Sequence, residues 1–133
     1  MSRISQLLQL AQDELETAQL LLDNDRHRAC ISRAYYVMYH ASQALLAVKN
    51  ITNKTHRGTI QQFGLYFIKT GELPIEMARA LTDGYDLRQL SDYEETLFLT
   101  RQQAEIVLDS AKEFFLQAQK YCSDSYRSPH PPT

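Results

Sequence analysis

The chain has 133 residues, 44% of them hydrophobic and 23% charged, with a net charge of −2 at pH 7. That length suits one domain with a real core. The near-neutral charge excludes a general electrostatic pull toward nucleic acid, so any RNA contact must use a local patch. Only four Gly and four Pro, among many Leu, Ala, Gln and Glu, favour helix over strand. No apolar run is long enough to cross a bilayer, and the amino terminus lacks a signal-peptide pattern. A cytoplasmic protein without a membrane contact is therefore expected. Cys30 and Cys122 are far apart in helical pattern and read as reduced packing residues.

Residues 3–23 repeat apolar side chains at helical spacing: Ile4, Leu7, Leu8, Ala11, Leu15, Ala18, Leu21 and Leu22. Asp23-Asn24-Asp25 interrupts the stripe as a turn. A second helix, about 26 to 49, is apolar nearly all round: Ala29, Cys30, Ile31, Ala34, Tyr35, Val37, Met38, Ala41, Ala44, Leu45, Leu46 and Val48. Such a helix is usually covered on several sides, which makes it the central one. Thr55 can cap a third helix that carries Ile60, Phe63, Phe67 and Ile68 and stops at Gly71. Pro74 opens a fourth with Ile75, Met77, Ala78, Leu81 and Leu87, in which Gly84 is a weak point. Ser91 with Glu94, and Thr100 with Gln103, both resemble capping boxes, so a break is expected within 91–100. The last helix, to about Cys122, has the stripe Ile106, Val107, Leu108, Ala111, Phe114, Phe115 and Ala118.

These elements predict an all-α, up-and-down antiparallel bundle of four to five helices over 1–122 and a disordered tail over 123–133. Helices of about 20 residues reach about 30 Å, long enough to lie side by side.

Three residue sets could carry chemistry. Arg33, Tyr36 and His40 share one face of the central helix. A charged Arg and a His among apolar neighbours need partners. They form either an internal network with an acid of another helix, or a seam that binds an anion or a partner subunit. Lys54, His56 and Arg57 stand at the start of a helix, whose free N–H groups already favour an anion; a solvated basic turn is the alternative. Arg88, Asp92 and Tyr93 form the third set, in which Arg88 and Asp92 could simply be a surface ion pair. A metal centre is not expected. The histidines make no Glu-x-x-His pattern, and neither cysteine belongs to a Cys-x-x-Cys pair. No phosphate-cradling Gly loop occurs, and no other cofactor is implied.

The run Ser-Arg-Ala-Tyr-Tyr-Val-Met-Tyr-His-Ala-Ser-Gln-Ala-Leu-Leu (32–46) closely resembles the central helix of small prokaryotic HEPN-domain proteins. Lys54-Thr55-His56-Arg57-Gly58, Phe67-Ile68-Lys69-Thr70-Gly71 and Arg88-Gln89-Leu90-Ser91-Asp92-Tyr93 follow in the family's order, so the resemblance spans roughly 1–122. It implies a HEPN-like helical bundle that dimerises, associates with nucleotides or RNA, and is often encoded beside a small nucleotidyltransferase as a toxin–antitoxin pair. Arg33, Tyr36, His40, Lys54, His56, Arg57, Arg88 and Tyr93 would then be the nucleotide- or RNA-binding residues.

The resemblance also implies an activity for many members, metal-independent RNA cleavage. Their motif is an Arg, four to six intervening residues and a His: the His acts as general base on the ribose 2′-hydroxyl and the Arg stabilises the phosphate. Here Arg88 matches the Arg, but Gln-Leu-Ser-Asp-Tyr follows it with no His. Arg88 with His40, or with His56, would have to do the chemistry, and Arg33 and His40 alone satisfy an Arg-x6-His spacing on the central helix. Three functions follow: a nucleotide- or RNA-associated module working with a nucleotidyltransferase as a homodimer, an RNA-cleaving toxin, or a non-catalytic helical adaptor. Tyr35, Met38 and Tyr39 on the central helix would suit a dimer seam.

Overall fold

The computed structural model describes the backbone of residues 2–127 and side chains through residue 125. Five helices follow in chain order: α1 (Arg3–Asp23), α2 (His27–Val48), α3 (His56–Phe63), α4 (Ile75–Tyr93) and α5 (Arg101–Arg127). The fold is all-α, with no strand among the described residues. α3 runs on through one wide π turn, Gly64–Ile68, closed by Lys69 N–H on the Gly64 carbonyl.

The turn between α1 and α2 forms where it was expected. Asn24 N–H bonds back to Leu20 and Leu21, and Asp25 takes the left-handed conformation at φ 58°. Three residues suffice, so α1 and α2 make an antiparallel hairpin. α2 packs against all four other helices, because only an all-round apolar helix can be covered on every side. Twelve of its residues are buried, including Ile31, Tyr35, Met38, Leu45 and Leu46. Tyr35, Met38 and Tyr39 are thus consumed by the chain's own core and are not free to form the dimer seam expected of them. Ala29 is exposed on the α2 first turn, against expectation.

Local chemistry sets most boundaries. Ser2 caps α1 by accepting from Ser5 N–H, and Thr55 caps α3 by accepting from Gly58 N–H. Gly71 ends the third helical segment at φ 79°. Thr100 and Gln103 form the reciprocal box: Thr100 N–H donates to Gln103 Oε1 (2.9 Å) and Gln103 N–H to Thr100 Oγ1 (3.1 Å). The Ser91–Glu94 box does not form. Ser91 is still inside α4, and its hydroxyl donates to the Arg88 carbonyl instead. The cause is Arg28 of α2, whose guanidinium donates to the carbonyls of Ser91, Leu97 (2.7 Å) and Glu94 (3.3 Å). It caps the end of α4 and pins the segment after it.

In α5 the buried face is Ala104, Leu108, Ala111, Phe115, Ala118 and Cys122, alternating steps of four and three, with Phe114 beside it. Ile106 lies two residues out of that phase and is 59% exposed, so it does not belong to the stripe. Ile75, on the first turn of α4, is likewise exposed. Phe114 meets Phe63, which meets Phe67, and Phe67 meets Tyr121, joining α3, its π turn and α5. The helix α5 continues through 123–127, five residues past the expected end; the rest of the expected tail, 128–133, lies outside the described residues.

Candidate functional site

Rings and cations gather where α2, the start of α3 and α4 meet. α2 supplies Tyr35 and Tyr39 on one line, and Tyr36 and His40 on the next, each pair four residues apart. α4 reaches them because Gly84 has no side chain. A Cβ there would stand 2.8 Å from Met38 Cε and 3.6 Å from Tyr35 Cδ1. The residue that looked like a weak point is therefore where α4 comes closest to α2, and it brings Tyr85 and Arg88 against the α2 tyrosines.

His56 is delivered by the loop before α3. Asn53 Oδ1 accepts from Thr55 N–H (2.9 Å) and lies 3.0 Å from its hydroxyl, while Asn53 Nδ2 donates to Gln62 (3.2 Å). Gly58 packs beneath Asn53, where a Cβ would collide with its amide at 2.4 Å. Gln43 of α2 ties the loop down by donating to the Asn53 carbonyl (3.3 Å) and to the Tyr39 hydroxyl (3.2 Å). The imidazole then stacks on Tyr39 at 4.3 Å between centroids, lies 6.0 Å from Tyr85, and places Nδ1 2.7 Å from the Tyr35 hydroxyl.

Arg88 sits over this floor, its guanidinium carbon 5.0 Å from the Tyr36 ring centre and 5.8 Å from that of Tyr35. Its Nε is buried and has no hydrogen-bond partner among the described residues. Asp92 pairs with it at 3.6 Å from a half-exposed position one turn on. Gln89 donates to the Tyr85 hydroxyl at 2.7 Å and fixes that ring.

Arg33 approaches Tyr36 at 4.8 Å and pairs with Glu14 of α1 at 2.9 Å, the acid of another helix that an internal network requires. His40 rests against Tyr36 and Tyr39, with a buried Nδ1 that finds no partner among the described residues.

The electrostatics separate two permanent cations from two uncharged imidazoles. Burial lowers the pKa of His56 below its ordinary 6.5, and the nearby charge of Arg88 lowers it further. Burial also lowers that of His40, against the opposing pull of Glu14. Both rings are accordingly neutral at pH 7. Burial, then the neighbouring Tyr39, pushes the Tyr35 phenol well up, so it keeps its proton. Arg33 is compensated by Glu14, which leaves Arg88 as the cation best placed to hold an anion beside His56.

Of the residues singled out in the sequence, Arg33, Tyr36, His40, His56 and Arg88 come together. Lys54 and Arg57 flank His56 in the chain, are exposed, and form no ion pair with any described residue. Tyr93 is 83% exposed and makes no ring contact with the cluster. Sequence reasoning missed Glu14, Arg28, Tyr85 and Gln89 as site residues; it read Tyr35 as a core and seam residue and Tyr39 as a seam residue. The one signal for Tyr85 was its spacing of three and four from Arg88 and Gln89. Among the described residues, no group of three or more His, Cys, Asp or Glu side chains is placed to hold a metal ion.

The HEPN domain family model matches residues 4–121. Two proteins of Methanocaldococcus jannaschii whose names read "Putative toxin" are similar to this chain. One is 37% identical over 111 residues, covering 84% of this chain and 82% of the relative; the other is 32% identical over 118 residues, covering 89% and 80%. A "UPF0332 protein" of Gloeobacter violaceus is 33% identical over 116 residues, covering 86% of this chain and 92% of its own. With a match that runs from the first turn of α1 to the last turns of α5, the chain belongs to the HEPN domain family.

Proposed function

We propose that this HEPN protein binds the phosphates of a nucleotide or RNA at the Arg88–His56 cleft, as a cytoplasmic homodimer that works with a small nucleotidyltransferase and forms the toxin half of a toxin–antitoxin pair. The observation that carries the binding reading is Arg88: a cation held over Tyr35 and Tyr36, with a buried Nε that no described residue satisfies. Exposed Lys54 and Arg57 beside His56 extend the positive surface along a strand of phosphates. The toxin reading is supported by the names of the two archaeal relatives. The homodimer reading is supported by Leu90, Tyr93 and Phe98, apolar side chains exposed on the segment that carries Arg88.

Induced expression in a bacterial host should arrest growth, Arg88→Ala should relieve the arrest, and co-expression of a nucleotidyltransferase encoded alongside should restore growth to the wild type. Unimpaired growth with abundant wild-type protein would remove the toxin reading. A protein indifferent to nucleotides and RNA would leave only the helical adaptor.

A second reading is RNA cleavage without metal, favoured by neutral imidazoles beside a fixed guanidinium. A ring nitrogen of His40 or His56 would take the 2′-hydroxyl proton; the freed oxygen would attack the adjacent phosphorus as its bond to the 5′-oxygen breaks, and the departing 5′-oxygen would take a proton from solvent water. The products would be a 2′,3′-cyclic phosphate and a 5′-hydroxyl, with Arg88 on the phosphate throughout.

A further inference from the structure

Tyr35 is fully buried, and its hydroxyl has one hydrogen-bond partner among the described residues, Nδ1 of His56 at 2.7 Å. A neutral imidazole has one N–H and one bare nitrogen, so this contact can be made in two ways. If Nδ1 carried the hydrogen, the Tyr35 oxygen would accept it and the phenolic hydrogen would be left buried with nothing to bond. If Nδ1 is bare, the phenol donates to it and both groups are satisfied. Buried polar hydrogens are nearly always paired, which selects the second arrangement. The tyrosine stays a phenol because burial holds its proton on, and the imidazole stays neutral for the same reason.

We infer that Tyr35 is a positioning residue that locks His56 as the Nε2–H tautomer, making it an uncharged hydrogen-bond donor to a phosphate oxygen beside Arg88 and not a general base. The stack on Tyr39 fixes the plane of the ring, and the Tyr35 hydroxyl fixes its rotation within that plane. Nε2 is left without a partner among the described residues, on a half-buried ring that feels the charge of Arg88. On this proposal an anion held by Arg88 would accept from one charged donor and one neutral donor. The consequence for the cleavage reading is specific. A nitrogen that already bears hydrogen cannot take the 2′-hydroxyl proton, so His56 leaves the list of bases, and only His40 remains among the two histidines.

The phosphate half of this inference rests on the binding reading above; the tautomer half does not. The test is long-range proton–nitrogen correlation spectroscopy on the nitrogen-15-labelled full chain, at a pH where His56 is neutral. The expected spectrum has a pyridine-type Nδ1 and a pyrrole-type Nε2. The reverse assignment, or an averaged pair of shifts, would overturn the lock.

Single-stranded oligouridylate is then added, with inorganic phosphate as the parallel arm. Binding should move the Nε2–H signal of His56, more strongly for the oligonucleotide if the anion belongs to a nucleic-acid backbone. Tyr35→Phe keeps the ring and removes the hydroxyl. It should give averaged tautomers and weaken oligouridylate binding about three- to tenfold, with the helical circular dichroism of the wild type. Oligouridylate that binds without moving the Nε2–H signal would overturn the donor role and leave the binding reading standing. Absence of any oligouridylate or phosphate binding would overturn the binding reading while the unliganded spectrum still decides the lock.

Discussion

The two sides of α2 hold the molecule together by different means. Toward α1 and α5 it presents Cys30, Ala34, Val37, Ala41, Ala44 and Leu45, and the neighbours answer with Leu7, Ala11, Ala18, Leu108 and Ala111, all buried. Small residues let the helices approach closely, and the Arg33–Glu14 pair at 2.9 Å bridges α2 to α1 from a half-exposed position. Toward α3 and α4 the same helix presents Tyr35, Tyr36, Tyr39 and His40, and meets His56, Tyr85 and Arg88. There rings, imidazoles and the Arg88 guanidinium make directional contacts around the apolar Met38–Gly84 approach, and polar atoms are left over. The first side is closed by the burial of apolar side chains. The second tolerates unsatisfied groups that a side built for stability alone would exclude.

Substitutions on the two sides should therefore separate stability from function. Phe114→Ala, in the ring stack with Phe63, should cost the most, about 3–5 kcal/mol in denaturant unfolding. A loss below about 1 kcal/mol would mean that this stack is not a main support. Arg28→Ala removes the donor that holds the carbonyls of Ser91, Glu94 and Leu97. It should cost about 2 kcal/mol and raise amide exchange first in 91–100. Uniform exchange along the chain would show that Arg28 does not pin that segment. Thr55→Ala removes the α3 cap and should cost about 1 kcal/mol, loosening His56 with little effect on the α1–α5 side.

The smallest effect is pH. His40 and His56 have folded pKa values below their ordinary 6.5. Between those values and 6.5 the unfolded chain binds more protons than the folded one, so stability rises with pH through that window and is lost as pH falls. Tm should accordingly drop between neutral pH and about pH 5, and His40→Gln should flatten the drop. A Tm unchanged over that range would contradict the buried, neutral histidines.

How much of this was legible in the chain depends on the distance over which the cause acts. The stripe of α1, the Asp23–Asp25 turn, the Thr55 cap, the left-handed Gly71 and the Thr100–Gln103 box rest on neighbours within a few residues, and the sequence displays all of them. The Ser91–Glu94 box looked equally good, but Arg28, 63 residues away, claims the Ser91 carbonyl and keeps the helix going. Ile106 shows the limit of composition: it is as apolar as its neighbours and lies out of phase with the buried face. In the candidate site, Arg33, Tyr36 and His40 could be grouped from helical spacing alone. Their meeting with Arg88 depends on how closely α4 approaches α2, which turns on the missing side chain at Gly84, and their meeting with His56 on the Asn53 loop that Gln43 ties down. Glu14 as the partner of Arg33 was foreseeable only as an unnamed acid on another helix.

The central claim is that the Arg88 side of α2 binds phosphate and is dispensable for the fold. It is tested most directly by titrating fluorescent single-stranded oligouridylate with the wild type and with Arg88→Ala, alongside thermal melts of both. Among the described residues Arg88 pairs with a half-exposed Asp92 at 3.6 Å and packs over Tyr35 and Tyr36, so its loss should change stability by about 1–2 kcal/mol, far short of unfolding. The loss of a charged donor at the anion should weaken binding by about ten- to a hundredfold. Equal affinities for the two proteins, or a weaker affinity that only tracks a collapsed melting temperature, would contradict it.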